Sequence, residues 1–164
     1  PIPIGIEQIP VLTAAEMADA VLAASKNADA LLMAAAVADF RTSQISDQKV
    51  KKEGGLASLA LEPTTDILAA VASQRQETGQ PRVVVGFAAE TEHLLENATA
   101  KVQAKSLDLI VANAVSAADS GFGVDTNRVI LLDAWRDSEP LPLMSKMAVA
   151  EPVLDRVIKL LDKH

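Results

Sequence analysis

The chain has 164 residues, of which 49% are apolar and 23% charged, and this composition is typical of one folded domain rather than of a disordered segment. A formal net charge of −7 and an aromatic content of 2% argue against a nucleic-acid partner, which requires basic surface and stacking side chains. The apolar runs stay below the roughly 20 residues of a membrane-spanning helix, so we expect a cytoplasmic protein without a membrane partner.

Cysteine and histidine are scarce in this sequence. It contains no Cys, which excludes a disulfide framework, a thiolate metal site and a cysteine nucleophile within this chain. His93 and His164 are its only histidines, and they leave little for a histidine metal site or a Ser-His-Asp triad. Common hydrolase mechanisms are therefore disfavoured. The chain opens at Pro1 without a Met, and we expect it to be a fragment of a longer protein.

The first predicted elements are a helix, a strand and a long loop. Thr13 and Glu16 have the spacing of a capping box, which predicts a helix over 13–25. The apolar run 28–37 predicts a strand buried on both faces of a parallel sheet, with a buried helix as the alternative. Residues 43–55 show neither period and are too polar for a core element, which predicts a long surface loop.

Helices and strands alternate along the rest of the chain. Weak alternation over 56–61 predicts a short strand, and the threonines that follow it mark the start of a helix that ends near residue 74. The clearest strand covers 82–89. Further elements are a helix over 91–105, strands over 107–112 and 128–133, and a final helix over 150–161. This alternation predicts an α/β fold built on a layered sheet.

Candidate site residues follow the apolar runs, because open α/β sheets bind ligands beyond the carboxyl ends of their strands. Small side chains at 34–36 let a ligand approach the backbone, and Asp39 follows them; the alternative is that Asp39 begins an ordinary turn. A cationic cluster at 49–52 lies beside two glycines, which predicts a mobile lysine flap over 42–55 that closes on a polyphosphate or carboxylate. A solvated charge run is the alternative for this cluster.

Two further features concern helices. A helix that starts near Thr65 and Asp66 attracts anions through its free N–H groups and its dipole, while Asp66 either caps the helix or holds a metal ion bound to the anion. Lys101 and Lys105 continue the apolar stripe of the helix over 91–105. In a simple βαβ unit this end of the helix lies away from the ligand-binding edge, so the alternative is that both lysines extend into solvent.

Taken in order, these motifs resemble one enzyme family over essentially the whole chain. The motifs are AAAVADFR, KVKK, TTDIL, VVVGFAAET and LDLIVANAV. They resemble phosphopantothenoylcysteine synthetase, also called phosphopantothenate-cysteine ligase. The resemblance implies a Rossmann-like, mostly parallel sheet with helices on both faces, whose first strand-helix-strand unit is missing from this chain. It also implies CTP-dependent joining of 4'-phosphopantothenate to cysteine through an acyl-cytidylate.

The resemblance further implies site residues and partners. Lys49 matches the family's essential flap lysine. The positions that match CTP contacts are Met33, Ala34, Ala35, Asp39, Lys49, Thr65, Asp66, Ile67, Leu68, Phe87, Lys101 and Lys105. We expect Mg²⁺ to accompany CTP, with Asp66 or Asp39 as candidate ligands. A homodimer is implied, as is a fused decarboxylase domain that carries FMN outside this chain.

The sequence departs from the family at Ala114, where the family has Asp after the residue that matches Asn113. Two alternative functions stay open. A nicotinamide-dependent oxidoreductase is disfavoured, because the glycines of 121–123 lack the third glycine of a dinucleotide fingerprint and a strand follows them. A non-catalytic nucleotide-binding or assembly module of the same fold is the other alternative.

Overall fold

A computed structural model describes residues 4–44, 58–90, 93–114, 124–135 and 137–163. Its elements in chain order are α1 (Ala14–Ser25), β1 (Ala30–Met33), β2 (Phe40–Thr42), β3 (Leu61–Pro63), α2 (Ile67–Thr78), β4 (Val83–Glu90), α3 (Leu94–Ala104), β5 (Leu109–Ala114), β6 (Thr126–Asn127), β7 (Val129–Asp133), β8 (Ser138–Pro140), β9 (Met144–Ser145) and α4 (Lys146–Leu161). In the described part of the chain, no helix is long and apolar enough to cross a membrane.

The main sheet has five strands in the order β1-β4-β5-β7-β8. β1, β4 and β5 are mutually parallel, β7 is antiparallel to β5, and β8 is antiparallel to β7, so four of the five strands point the same way. Met33 pairs with Gly86, and Phe87 pairs with Val111, which brings the carboxyl ends of β1, β4 and β5 to one edge. The mostly parallel sheet predicted from the sequence is confirmed.

Helices cover both faces of this sheet, as predicted. Along β4 the side chains alternate, so that Val84 joins a core cluster with α1, α2 and α3, whereas Val83 and Val85 join a second cluster with α4. The same alternation on β5 sends Ile110 to the first cluster and Leu109 to the second. Because both faces are buried, the central strands are apolar at consecutive positions, which is the pattern that identified them in the sequence.

The helix starts depend on side-chain caps. Thr13 Oγ1 accepts a hydrogen bond from the N–H of Glu16 at 3.1 Å, and the Glu16 carboxylate accepts one from the N–H of Thr13 at 3.2 Å, so the predicted capping box is confirmed. α4 begins at Lys146, one turn earlier than predicted, because the Ser145 hydroxyl accepts the N–H of Ala148 at 3.1 Å. α2 continues to Thr78, beyond the predicted end near residue 74.

Two predicted strands differ from those observed. The strand expected over 28–37 is only Ala30–Met33, and in the described sheet it pairs with β4 alone, so full burial on both faces was wrong. Leu32 is 39% exposed. The strand expected over 56–61 is observed as Leu61–Pro63, where it pairs with β2, and Leu59 before it is exposed.

A two-stranded ladder forms the base of the predicted flap. β2 and β3 pair antiparallel, with Arg41 opposite Glu62 and a 2.7 Å ion pair between their side chains. The N–H of Ser43 donates to the carbonyl of Ala60 at 3.0 Å and extends the ladder toward the flap. Lys49 and most of the flap lie outside the described residues. The described ladder lies next to the start of α2, since β3 ends at Pro63 and α2 begins at Ile67.

Candidate functional site

A cavity of about 370 Å³ opens at the carboxyl edge of the sheet, on the face covered by α2 and α3. We call it the α2–α3 cavity. Its described lining residues are Met33, Ala35, Ala36, Val37, Ala38, Asp39, Thr64, Thr65, Asp66, Ile67, Leu68, Gly86, Phe87, Lys101, Lys105, Leu107 and Ile110. These residues come from four separate segments of the chain. The position agrees with the rule that open α/β sheets bind ligands beyond the carboxyl ends of their strands.

One wall of the α2–α3 cavity joins the segment after β1 to the start of α2. The N–H of Thr64 donates to the carbonyl of Asp39 at 2.9 Å. The Thr64 hydroxyl also donates to the carbonyl of Ala38. These two contacts hold the backbone on either side of the β2–β3 ladder together, so that Asp39 and Asp66 line the same cavity.

An ion pair crosses the cavity wall between α2 and α3. Lys105 donates from Nζ to the Asp66 carboxylate, which also caps α2 by accepting the N–H of Ala69 at 3.1 Å. Ordinary helix capping by Asp66 is thus observed, together with a second partner. The pair joins two elements that are 39 residues apart in sequence.

The electrostatics of Asp66 follow from these contacts. Partial burial acts to raise the pKa of Asp66, but the hydrogen bond and charge of Lys105, together with the N–H groups of Ala69 and Leu68, outweigh it and lower the pKa below its usual value. Asp66 is therefore ionised at neutral pH. The cavity wall presents a carboxylate and an ammonium side by side, at the N-terminus of α2.

The floor of the α2–α3 cavity depends on Gly86. A Cβ placed on Gly86 would lie 2.6 Å from Leu107 Cδ1, closer than real Cβ contacts come, and Leu107 is itself buried in the core. Any larger residue would press against the Leu107 side chain. Gly86 therefore allows Leu107 to pack closely against β4 beside the cavity.

A second cavity of about 430 Å³ lies on the opposite face of the sheet, beside α4. We call it the α4 cavity. Its described lining residues are Ala34, Ala35, Ala36, Phe87, Ala88, Ala89, Val111, Asn113, Asn127, Val129, Lys146 and Val149. Most of these side chains are apolar. Ala35, Ala36 and Phe87 line both cavities, so the two spaces meet at the ends of β1 and β4.

A side-chain hydrogen bond and a two-stranded ladder form the polar rim of the α4 cavity. Asn113 Nδ2 donates to Asn127 Oδ1 at 3.4 Å. β6 pairs with β9, with Thr126 opposite Ser145, and this brings Asn127 next to the start of α4. Lys146 is the first residue of α4, and its N–H donates to the carbonyl of Asp125 at 2.8 Å. The β6–β9 ladder thus places an amide pair and a lysine around one cavity.

The structure brings most of the sequence-predicted site residues together. Those that line the α2–α3 cavity are Met33, Ala35, Asp39, Thr65, Asp66, Ile67, Leu68, Phe87, Lys101 and Lys105. Ala34 lines the α4 cavity, and Lys49 lies outside the described residues. The end of α3 leads into the start of β5, which is parallel to β4, and the α2–α3 cavity extends along the two helices as far as Lys105.

Ala36, within the run of small residues at 34–36 named from the sequence, lines both cavities. Sequence reasoning missed Lys146. Lys146 had no local signal, because it reaches the α4 cavity only through the pairing of β6 with β9. The described residues contain no group of three or more His, Asp or Glu side chains that could hold a metal ion.

The chain is similar to known proteins along most of its length. A Bacillus subtilis (strain 168) protein named Coenzyme A biosynthesis bifunctional protein CoaBC is 42% identical over 154 residues, which are 94% of this chain and 37% of that protein. A protein from an unknown prokaryotic organism, named Cysteine/Cysteine sulfinic acid decarboxylase, is 35% identical over 155 residues, 94% of this chain and 42% of that protein. The chain thus spans about two fifths of the length of these curated relatives.

A solved structure and a family model match the chain in the same way as these relatives do. The crystal structure of the C-terminal domain of a Coenzyme A biosynthesis bifunctional protein CoaBC superposes with a TM-score of 0.76 at 31% identity, and the match covers 99% of this chain and 71% of that one. Residues 1–161 match the family described as DNA/pantothenate metabolism flavoprotein C-terminal domain. The resemblance drawn from the motifs is confirmed at this level, and the chain belongs to the family of DNA/pantothenate metabolism flavoprotein C-terminal domains.

Proposed function

We propose that this chain is the CTP-binding part of a phosphopantothenate-cysteine ligase that acts in coenzyme A biosynthesis. The observation that carries the proposal is the α2–α3 cavity, which Lys101 and Lys105 line together with residues that end β1 and β4, and in which Lys105 contacts Asp66 at the N-terminus of α2. Cations and helix N–H groups are the groups that recognise a polyphosphate. The names of the relatives support the pathway.

The proposed reaction has two steps. A carboxylate oxygen of 4'-phosphopantothenate attacks the α-phosphorus of CTP, the bond from that phosphorus to the bridging oxygen of the β-phosphate breaks, and pyrophosphate leaves. The amine of cysteine then attacks the acyl carbon and loses a proton, the bond to CMP breaks, and an amide forms. Negative charge grows on the leaving pyrophosphate in the first step, so positioned cations contribute more than a strong nucleophile.

Different residues of this chain are proposed to bind the phosphates, to stabilise charge and to shape the site. Lys105 and Lys101 line the α2–α3 cavity on the α3 side, where they would contact the phosphates. Lys49, on the flap that the β2–β3 ladder carries, is proposed to reach the reacting phosphate and stabilise its charge. Phe87 stands between the two cavities and is proposed to limit the space in which the reacting atoms meet.

The carboxylates of the α2–α3 cavity fit a Mg²⁺ ion that arrives with the nucleotide. Mg²⁺ in nucleotide sites is commonly held by one or two carboxylates together with substrate phosphates. Asp39 and Asp66 both line the cavity, and Asp66 is ionised at neutral pH. When bound, the ion would neutralise phosphate charge. We propose Asp39 as the residue that would hold it, because the Asp66 carboxylate already contacts Lys105 and the N–H of Ala69.

The proposed assembly follows from the same resemblance. We propose that the chain forms a homodimer and that its natural polypeptide carries an FMN-dependent decarboxylase domain outside this segment. The word "bifunctional" in the names of the relatives, and the two fifths of their length that the chain covers, support a second domain. Size-exclusion chromatography with light scattering on the natural polypeptide would test the dimer.

Pyrophosphate release tests the proposed function. The natural full-length polypeptide is mixed with CTP, 4'-phosphopantothenate and cysteine, and pyrophosphate is measured while each substrate is omitted in turn. We expect sustained release with all three, a single turnover without cysteine, and none without CTP or the acid. CTP binding without any pyrophosphate release would overturn the ligase proposal and support the non-catalytic nucleotide-binding module instead.

A further inference from the structure

We propose that Thr64 is a positioning residue of the α2–α3 cavity, and that its hydroxyl holds Asp39 in place beside the N-terminus of α2. The inference rests on the proposed function and deepens it. Thr64 is not one of the positions that match CTP contacts in the family. Its side chain acts on the protein backbone, and its effect on the nucleotide passes through Asp39.

Thr64 joins two parts of the chain that are distant in sequence. Its N–H donates to the carbonyl of Asp39 at 2.9 Å, and its hydroxyl donates to the carbonyl of Ala38. Thr64 and Ala38 are 26 residues apart. One residue therefore binds two consecutive carbonyls, and two such bonds restrain both the position and the direction of the backbone that carries the Asp39 side chain.

The segment that leads to Asp39 has little else to restrain it. β1 ends at Met33, and residues 34–38 belong to no helix or strand. Four of these five residues are exposed alanines, whose side chains bury little apolar surface, and the fifth is Val37, which packs against the first core cluster. Ordering a free backbone costs conformational entropy. A segment that is already held in place avoids this cost when a ligand binds.

The other end of the restraint is the start of α2. Thr64 directly follows β3 and lies two residues before Asp66, the N-cap of α2. In the β2–β3 ladder Phe40 lies opposite Pro63, so the bonds of Thr64 continue this pairing by one residue into the cavity. Thr64, Asp39 and Asp66 all line the α2–α3 cavity. The hydroxyl therefore connects the two walls that one nucleotide would have to contact together.

Two substitutions separate the hydroxyl from the rest of the side chain. Thr64→Val keeps the branched shape and the backbone N–H, but it cannot donate to the carbonyl of Ala38. Thr64→Ser keeps the hydroxyl and loses one methyl group. A role in positioning therefore predicts a loss with Val and rescue with Ser, whereas a role in packing predicts the opposite order.

The test measures CTP binding by calorimetry, with Mg²⁺ present, in the natural full-length polypeptide. We expect Thr64→Val to raise the Kd for CTP about five-fold, as for one lost hydrogen bond, and Thr64→Ser to stay within two-fold of the parent protein. Unchanged affinity in Thr64→Val, or an equal loss in both variants, overturns the proposal. Thermal unfolding establishes that each variant is folded at the temperature of the measurement, and Thr64→Ala replaces Thr64→Val if valine is not accommodated.

Thr99→Val is the matched control. The Thr99 hydroxyl donates to the carbonyl of Leu95 at 2.7 Å, so this variant also removes a hydroxyl that binds a backbone carbonyl. That bond lies within α3, and Thr99 is not among the described residues that line the α2–α3 cavity. We expect the Kd for CTP in Thr99→Val to stay within two-fold of the parent value.

A double-mutant cycle with Asp39→Asn tests whether Thr64 acts through Asp39. Once Asp39 has lost its charge, its exact position matters less, so Thr64→Val should raise the Kd for CTP by less than two-fold in the Asp39→Asn background. Additive effects of the two substitutions would show that Thr64 acts on the nucleotide by another route, and they would overturn the positioning role.

The outcomes for Thr64 and for the ligation are distinguishable. CTP affinity that depends on the Thr64 hydroxyl, in a parent protein that releases no pyrophosphate, supports the positioning role and contradicts the ligase proposal. Pyrophosphate release with an unchanged Kd for CTP in Thr64→Val supports the ligase and overturns the positioning role. A parent protein that does not bind CTP contradicts both.

Discussion

The two cavities share one edge of the sheet but differ in chemistry. Alternation along β4 directs Gly86 toward α2 and α3, while Phe87 lines both spaces from the next position. One side is bounded by helix termini and charged residues of both signs; the other is bounded by valines, alanines and one lysine. A single strand end can therefore border a charged surface and an apolar surface within one residue of each other.

The largest expected effect comes from Lys49, which we proposed as the catalytic cation. Lys49→Gln removes the cation proposed to stabilise charge on the reacting phosphate, so kcat should fall by about 10²–10³, as for the loss of one transition-state contact. Initial rates of pyrophosphate release at saturating CTP and acid measure it, with Lys159→Gln, at an exposed lysine in the last turn of α4, as the charge control. An unchanged kcat would show that Lys49 is not catalytic and that the charged cavity works without the flap.

Phe87→Ala tests whether the two cavities truly share a wall. Phe87 is 40% exposed, and its ring borders both spaces. Losing about 2 kcal/mol of apolar contact should lower kcat/KM about 30-fold for CTP and for the acid alike. Steady-state kinetics with each substrate varied in turn provide the measurement. An effect on one substrate alone would mean that the ring serves a single cavity and that the substrates meet elsewhere.

Lys105→Gln tests the charged side of the α2–α3 cavity. Lys105 lines only the α2–α3 cavity, so KM for CTP should rise about ten-fold, from the loss of about 1.4 kcal/mol of charge-assisted binding, while KM for the acid stays within two-fold. The change in KM for CTP therefore reports on the α2–α3 cavity by itself. A rise in KM for the acid instead would place the acid on the α2–α3 face.

Much of the fold was predictable because local signals and burial agree. The capping box at Thr13 and the apolar run that became β4 are short-range patterns, and both were found. The strand predicted over 28–37 was too long. The composition of this run is that of a buried strand, but the alanines after Met33 leave the ladder and line the cavities. The strands β6, β8 and β9 are two or three residues long, too short to show a period.

The candidate site was predictable to the extent that it follows strand ends and motif order. Asp39 and the start of α2 follow apolar runs directly, and the structure places them in one cavity. Lys146 was missed because its approach to Asn127 depends on the β6–β9 pairing, which no local pattern indicates. The contact between Lys105 and Asp66 was missed for the same reason, since 39 residues separate the partners.

That contact gives the smallest and most specific prediction. Asn caps helices about as well as Asp, so Asp66→Asn should keep the start of α2 while removing the charge that holds Lys105 at the cavity wall. We expect KM for CTP to rise about three-fold, because a less restrained Lys105 must be ordered on binding. A fall in KM would show instead that the carboxylate competes with phosphate for Lys105.

The stability of the same variant should depend on pH in a defined direction. Because the pKa of Asp66 is lowered in the folded protein, its charge stabilises the fold above the unfolded-state pKa of about 4, and this contribution is lost as the pH falls through the lower folded-state value. Urea unfolding should therefore show the parent protein more stable than Asp66→Asn at pH 7, with the difference shrinking as the pH falls below about 4. A difference in stability that persists unchanged at low pH would assign the effect to the helix cap rather than to the ion pair with Lys105. The geometry of the α2–α3 wall would then depend on capping alone.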